Sequence, residues 1–203
     1  WFHDNKQRYE KSVKEPFKVF IDKVIEEISN LEPEYQITPK ECIFRQHRAV
    51  RLSKDKSSYK LYSSAVISPK GRKDKSIPGL YIRLSPEDVT IMGGCYNPST
   101  LQLQQIRTAI SEDPKAFRAL IENEDFKDQF GEVKGEKYKR IPKEFKELFK
   151  IEPIIANKQF YYGATLSPET ITNKNLDTLV MNYWKTMQPI NKFLTEAIDS
   201  NGI

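Results

Sequence analysis

Two cysteines and two histidines are all that this 203-residue chain holds for thiol or imidazole chemistry. Cys42 and Cys95 cannot build the even, closely spaced framework that staples a small secreted domain, so reduced thiols and a cytoplasmic setting are expected. His3, Cys42, His47 and Cys95 show neither Cys-x-x-Cys nor His-x-x-x-His spacing, and no metal is expected. No apolar run approaches the roughly 18–20 residues that a membrane helix needs, which argues against a membrane partner. Eight glycines and twelve prolines exclude collagen-like and low-complexity classes. The chain opens on Trp1 rather than Met, so residues are expected to precede it, and no targeting signal can be read.

What remains is the composition of a folded domain, 38% hydrophobic and 11% aromatic, long enough for a substantial core. One domain over residues 1–203 is the expectation. The net charge of +5 is unevenly spread. Residues 45–75 carry ten Lys and Arg against Asp55 and Asp74, a local +8, which leaves the rest of the chain at −3. A basic segment on a mildly acidic scaffold points to an anionic partner, although a solvated loop, above all Lys70 to Lys75, explains part of it.

Apolar residues at Tyr9, Val13, Phe17, Phe20, Ile21, Val24, Ile28 and Leu31 form a helical stripe. Pro16 predicts a short helix to about Lys14 and a second one entered with proline in its first turn. β-branched and aromatic runs then predict strands at 42–45, 60–68, 79–84 and 89–95, with Ser85-Pro86-Glu87-Asp88 turning an antiparallel hairpin. Helices are expected from Ser99 or Asn97 and from Asp113-Pro114, an extended segment over 133–141, and a short helix over 142–150 that buries Phe145, Leu148 and Phe149. A strand follows over 159–166, then helices from about Ser167 broken at Pro189. Helices, strands and helices without regular alternation predict an α+β fold, a mostly antiparallel sheet packed with N-terminal, central and C-terminal helices.

The most specific stretch is Phe44-Arg45-x-x-Arg48-x-x-Arg51-x-Ser53-Lys54-Asp55-Lys56-x-x-Tyr59-Lys60. With Trp1-Phe2-x-x-Asn5-Lys6-x-x-Tyr9, Gly79-x-Tyr81, Gly93-Gly94-x-Tyr96-x-Pro98, Lys158-x-Phe160 and Pro189-x-Asn191 it resembles domain of unknown function family 2461 over nearly the whole chain. The resemblance implies a compact α+β domain and supplies no chemistry. Ala49, Leu52 and Ser58 depart from the family's usual Asp, Phe and Pro, and no catalytic base is named at the first of these.

From the residues themselves, the candidate ligand-binding block Arg48, Arg51, Ser53, Lys54, Asp55, Lys56, Tyr59 and Lys60 combines guanidinium forks, ammonium charges and hydroxyls, the mixture that phosphate and carboxylate groups want. The alternative is an exposed polar connection turned by Asp55. Asn5 and Tyr9 share a helix face with Lys6 about 100° around it, and with Tyr81 and Lys158 they complete the candidate ligand-binding set. Tyr9 as a core residue and Lys158 as a rim residue are the plainer readings. His47 as a base, Ser57-Ser58-Tyr59-Lys60 as a catalytic Ser-x-x-Lys and Cys95 as an activated thiol are weaker readings than a strand histidine, a chance spacing and a buried cysteine. The expected partner is a phosphorylated or carboxylated small molecule. The alternative is a nucleic-acid- or protein-binding module using the face 45–75, with Tyr59, Tyr62 and Tyr81 for stacking. Catalysis, cofactor and oligomeric state are not assigned by the sequence.

Overall fold

Pro16 shapes the N-terminal helices, because it lacks an N–H and its ring collides with the carbonyl four residues back in a regular α-helix. In the computed structural model, which describes residues 2–47 and 59–199, α1 (Phe2–Tyr9) runs into a π-helical turn (Glu10–Lys14) and then α2 (Glu15–Leu31), with Pro16 in the first turn of α2. The Glu15 N–H donates to the Glu10 carbonyl, five residues back, so the chain takes up the proline without interruption. The two expected helices are therefore one continuous rod with a wide turn in it.

Thr38-Pro39-Lys40-Glu41 contains a second local signal. The Glu41 carboxylate accepts from the Thr38 N–H at 2.9 Å and from its hydroxyl at 2.7 Å. Proline occupies the first turn, and the result is the single-turn helix α3 (Pro39–Cys42). The strand expected at 42–45 is thus corrected: Cys42 ends a helix, and only Ile43 pairs, in an isolated bridge to Ala65.

The sheet consists of β1 (Ser63–Ile67), β2 (Leu80–Leu84), β3 (Val89–Cys95) and β4 (Phe160–Leu166), antiparallel and in that order. Ser85 turns the β2–β3 hairpin as expected: its hydroxyl accepts from the Glu87 and Asp88 N–H groups, and its own N–H donates to the Asp88 carbonyl at 2.9 Å. Period-two burial along β3 puts Val89, Ile91, Gly93 and Cys95 inward. The segment 133–141 contributes isolated bridges, Lys134 to Tyr161 and Lys137 to Asn157.

The chain divides into two compact units, with boundaries inside β3 after Ile91 and inside the last helix after Met181. The first comprises residues 1–73, 81–91 and 165–181. Its core is the inner face of α2 (Phe17, Ile21, Val24, Ile25, Ile28) with Ala65, Ile67, Ile82, Val89 and Ile91. Each fully buried Ile or Val contributes about 1.5–3 kcal/mol.

The second unit comprises residues 74–80, 92–164 and 182–203. It holds α4 (Thr100–Glu112), capped by Ser99 and Gln102, and α5 (Pro114–Ile121), capped by Asp113. After these come α6 (Glu124–Phe130), which Asn123 caps and which the sequence reading missed, and α7 (Lys146–Ile151). Phe126 and Phe130 meet the Tyr162 ring edge-on, with centroids 4.9 and 5.1 Å away. Phe145 is buried as expected, but Phe149 is 39% exposed, because the short α7 turns it outward.

The last helix, α8 (Leu176–Asp199), begins later than expected, after a 3-10 segment at Pro168–Thr172, and it is not broken at Pro189. Pro189 and Lys185 are both exposed, so the carbonyl that loses its helical partner lies where water can replace it. The chain is α+β, with the antiparallel sheet and the N-terminal, central and C-terminal helices that the sequence predicts.

Candidate functional site

Tyr9, Val13, Phe17 and Phe20 follow one another along the α1–π–α2 rod, and in the first unit they line one wall of an open groove of about 960 Å³. Opposite elements contribute Gln46, Lys60 to Ser63, the hairpin turn Leu84 to Pro86, and residues around Ile171 to Asp177. Its charged side chains are Lys11, Glu15, Lys23, Lys60, Lys174 and Asp177, four cations against two carboxylates.

Two of these charges are closed on each other. Lys23 pairs with Asp177, whose side chain is 10% exposed at the start of α8. The Lys23 ammonium, followed by the Thr178 N–H, holds the Asp177 carboxyl below its ordinary range, and Asp177 in turn raises the Lys23 ammonium. The Lys60 ammonium stands 5.4 Å from the Tyr62 ring centroid and 5.5 Å from that of Phe44. The Arg83 guanidinium lies 5.7 Å from the Tyr62 centroid and forks onto Asp88 at 2.8 and 2.9 Å.

The part of the basic segment that holds Arg48 to Lys56 is bracketed in the sequence by residues of this groove. His47 and Tyr59 form an antiparallel bridge with ring centroids 4.7 Å apart, the Lys60 N–H donates to the Gln46 carbonyl at 3.0 Å, and the Gln46 side-chain amide donates to the Lys60 carbonyl. Gln46 and Lys60 both line the groove. Arg48, Arg51, Ser53, Lys54, Asp55 and Lys56 lie outside the described residues, as does the Ser57–Ser58 part of the Ser-x-x-Lys.

The other candidates divide. Tyr9 lies on the groove wall, half-buried, and burial followed by Glu10 raises its hydroxyl. Lys6 is exposed on α1, Asn5 is half-buried there, and neither lines the groove. Tyr81 lies on β2, where burial pushes its hydroxyl up against the opposing effect of a hydrogen bond with Ser64; it too is outside the lining. Lys158 belongs to the second unit, where its ammonium pairs with Glu136 at 2.9 Å and stands 5.5 Å from the Tyr138 centroid.

The weaker catalytic readings also find their places. His47 is exposed rather than a partly buried strand residue. Cys42 and Cys95 are buried free thiols, each pushed up to about 12 by burial, and the Cys95 thiol donates to the Ser76 carbonyl at 2.9 Å, so neither has thiolate character near neutral pH. Gly93 and Gly94 bring chain against chain. A Cβ on Gly94, whose φ is +88°, would sit 2.2 Å from the Phe160 carbonyl oxygen, and one on Gly93 would sit 2.7 Å from the Tyr162 ring. Among the described residues no three His, Cys, Asp or Glu side chains converge on a metal position, and no helix is long and apolar enough to cross a membrane.

A second cavity, about 620 Å³, lies in the second unit beside Gly131 to Lys137. Glu122, Glu132 and Glu136 offset Lys127, Lys134 and Lys137 there, so it favours neither sign of ligand. Sequence reasoning missed Lys11, Lys174 and the Lys23–Asp177 pair. The spacing of four from Tyr9 through Val13 to Phe17 is ordinary for one face of an α-helix and drifts by only about 40° per step, so it did not single out the π turn.

No curated protein and no solved structure matches the chain. The family model described as "Conserved hypothetical protein (DUF2461)" matches residues 1–193, and the chain belongs to that family.

Proposed function

We propose that the protein binds a phosphorylated or carboxylated small molecule at the groove of the first unit, with Arg48, Arg51, Ser53, Lys54 and Lys56 as ligand contacts beside Lys60 and Tyr59. The observation that carries this reading is the double tether: Gln46 and Lys60, bonded to each other through both backbone and side chain, bracket the stretch that holds Arg48, Arg51, Lys54 and Lys56 and line the groove themselves. A mixture of guanidinium, ammonium and hydroxyl donors matches the acceptor oxygens of such a ligand. The two buried, reduced thiols suit a cytoplasmic setting. The proposal is one of binding, and no bond-making step is assigned.

A nucleic-acid face is less well supported. Tyr59 packs on His47, Tyr62 lies between Lys60 and Arg83, and Tyr81 is half-buried, so the three rings considered for stacking already have neighbours.

The test is a thermal-shift panel of inorganic phosphate and small phosphorylated and carboxylated metabolites, at ionic strength matched with potassium chloride. A ligand at a hundred times its Kd adds about 2.7 kcal/mol, or roughly 5–11 °C for a chain of this size. Arg51→Ala and Lys54→Ala should remove that shift and leave the unliganded melting point unchanged. A panel in which no anion exceeds potassium chloride rejects the proposal. Oligonucleotide binding whose log affinity falls by about 0.7–0.9 per log salt for each phosphate neutralised would favour the extended face instead.

A further inference from the structure

The groove carries more apolar surface than an anion alone requires. Val13, Val19 and Leu61 are 41%, 67% and 72% exposed, and all three line it, with Phe17 and Leu176 buried beneath. Large apolar side chains gathered in a concavity and left open to water mark a ligand surface more than a solvated one. Cationic groups share that concavity. Among the described residues Lys11 and Lys174 have no carboxylate partner, whereas Lys23 is spent on Asp177.

We infer that the ligand is amphiphilic, an anionic head on an unbranched apolar chain, the class that includes fatty carboxylates and alkyl phosphates. This inference rests on the anion reading above and adds the tail to it. The wall from Tyr9 to Phe20 extends about 16 Å along the helix axis, the reach of an extended chain of about twelve carbons with C–C bonds of about 1.5 Å. An alkyl chain asks for no hydrogen bonds. A peptide in the same place would have to satisfy its backbone, yet the Gln46 amide is bonded to Lys60 and the Ser85 hydroxyl is taken up by the hairpin turn. The surface is concave, which suits a single chain entering from solution better than the flat face of a bilayer.

The experiment is calorimetric titration of the whole chain with acetate, hexanoate, octanoate, decanoate, decanol and inorganic phosphate, each kept below its micelle concentration. Affinity should climb about three- to fourfold for each methylene buried, and decanol should bind at least tenfold more weakly than decanoate. Val13→Ser and Leu61→Ser, at exposed positions where folding is not at risk, should weaken decanoate without changing inorganic phosphate. Lys174→Ala should weaken decanoate without changing decanol. A flat chain-length series with phosphate binding intact overturns the tail and leaves the anion reading standing. Decanol binding as tightly as decanoate overturns the anionic head, and the anion reading with it. A response confined to vesicles of anionic phospholipid, with none to monomeric decanoate, overturns the inference in favour of a membrane surface.

Discussion

Asn191 is the polar hub of the second unit, and its removal should cost more than any single contact it makes. Its Oδ1 accepts the Tyr162 hydroxyl at 2.7 Å and the Gly94 N–H at 3.0 Å, while its Nδ2 is buried and lacks a hydrogen-bond partner among the described residues. Tyr162→Phe deletes one bond and leaves the Gly94 N–H satisfied, so it should cost about 1–1.5 kcal/mol. Asn191→Ala strands the Gly94 N–H in the interior, at about 1–3 kcal/mol, and removes the nearer acceptor of the Tyr162 hydroxyl, which keeps only the Met187 carbonyl at 3.2 Å, at about 1 kcal/mol more. The expected loss is about 2–4 kcal/mol, or roughly 4–16 °C in Tm at 2–4 °C per kcal/mol. Because the tyrosine hydroxyl keeps only the longer bond to the Met187 carbonyl once Asn191 is gone, Tyr162→Phe should cost less in the Asn191→Ala background than in wild type. The assay is urea denaturation of wild type, both single variants and the double variant. A coupling above about 0.5 kcal/mol is expected; penalties that add to within that margin would show that the hub carries no shared energy and would refute the argument.

Two further predictions follow from the geometry. The Asp177 carboxyl is held below its unfolded value of about 3.9, so its stabilising contribution is fully present above that pH and is lost as pH falls through the lower folded value. Asp177→Asn should therefore lower the urea midpoint at pH 6, and its gap to wild type should narrow as pH falls below the unfolded value, whereas a gap independent of pH would contradict the linkage. Gly94→Ala sets an alanine at φ +88° with its Cβ against the Phe160 carbonyl, which should cost about 2–5 kcal/mol from strain and overpacking together, read as a drop in Tm; a change under 1 kcal/mol would mean that β3 moves freely away from β4.

Much of this architecture was legible because its signals are local. The Ser85 hairpin, the Ser99 and Asp113 caps and the alternation along β3 each depend on residues within a few positions of one another, and they stand where the sequence puts them. Pro189 was misread because a proline's cost depends on where the freed carbonyl points, and only the fold turns Lys185 to water. The Thr38 box was overlooked because Cys42 to Arg45 also carries strand-like residues, and the capping bonds outweighed that propensity. At the candidate site the charge block and its place in the chain were readable from composition. The groove was not, because it needs helix residues near Tyr9, the turn at Ser85 and the approach to α8 around Asp177, three stretches separated by many tens of residues.

The π turn between α1 and α2 has a consequence for how the groove wall tolerates change. Over the eight positions from Tyr9 to Phe17 an unbroken α-helix would leave the two rings about 80° apart around the axis, and one surplus residue absorbed in a wide turn reduces this to about 20°. The rod therefore carries a spare residue. Loss of one position between Glu10 and Lys14 together with replacement of Pro16 would convert the turn to regular helix and keep Tyr9 in phase with Phe17, whereas tightening the turn at constant length would swing α1 by about 100° and carry Tyr9 off the wall. Pro16, which forbids that tightening, acts as the phase lock of a groove to which it contributes no charge.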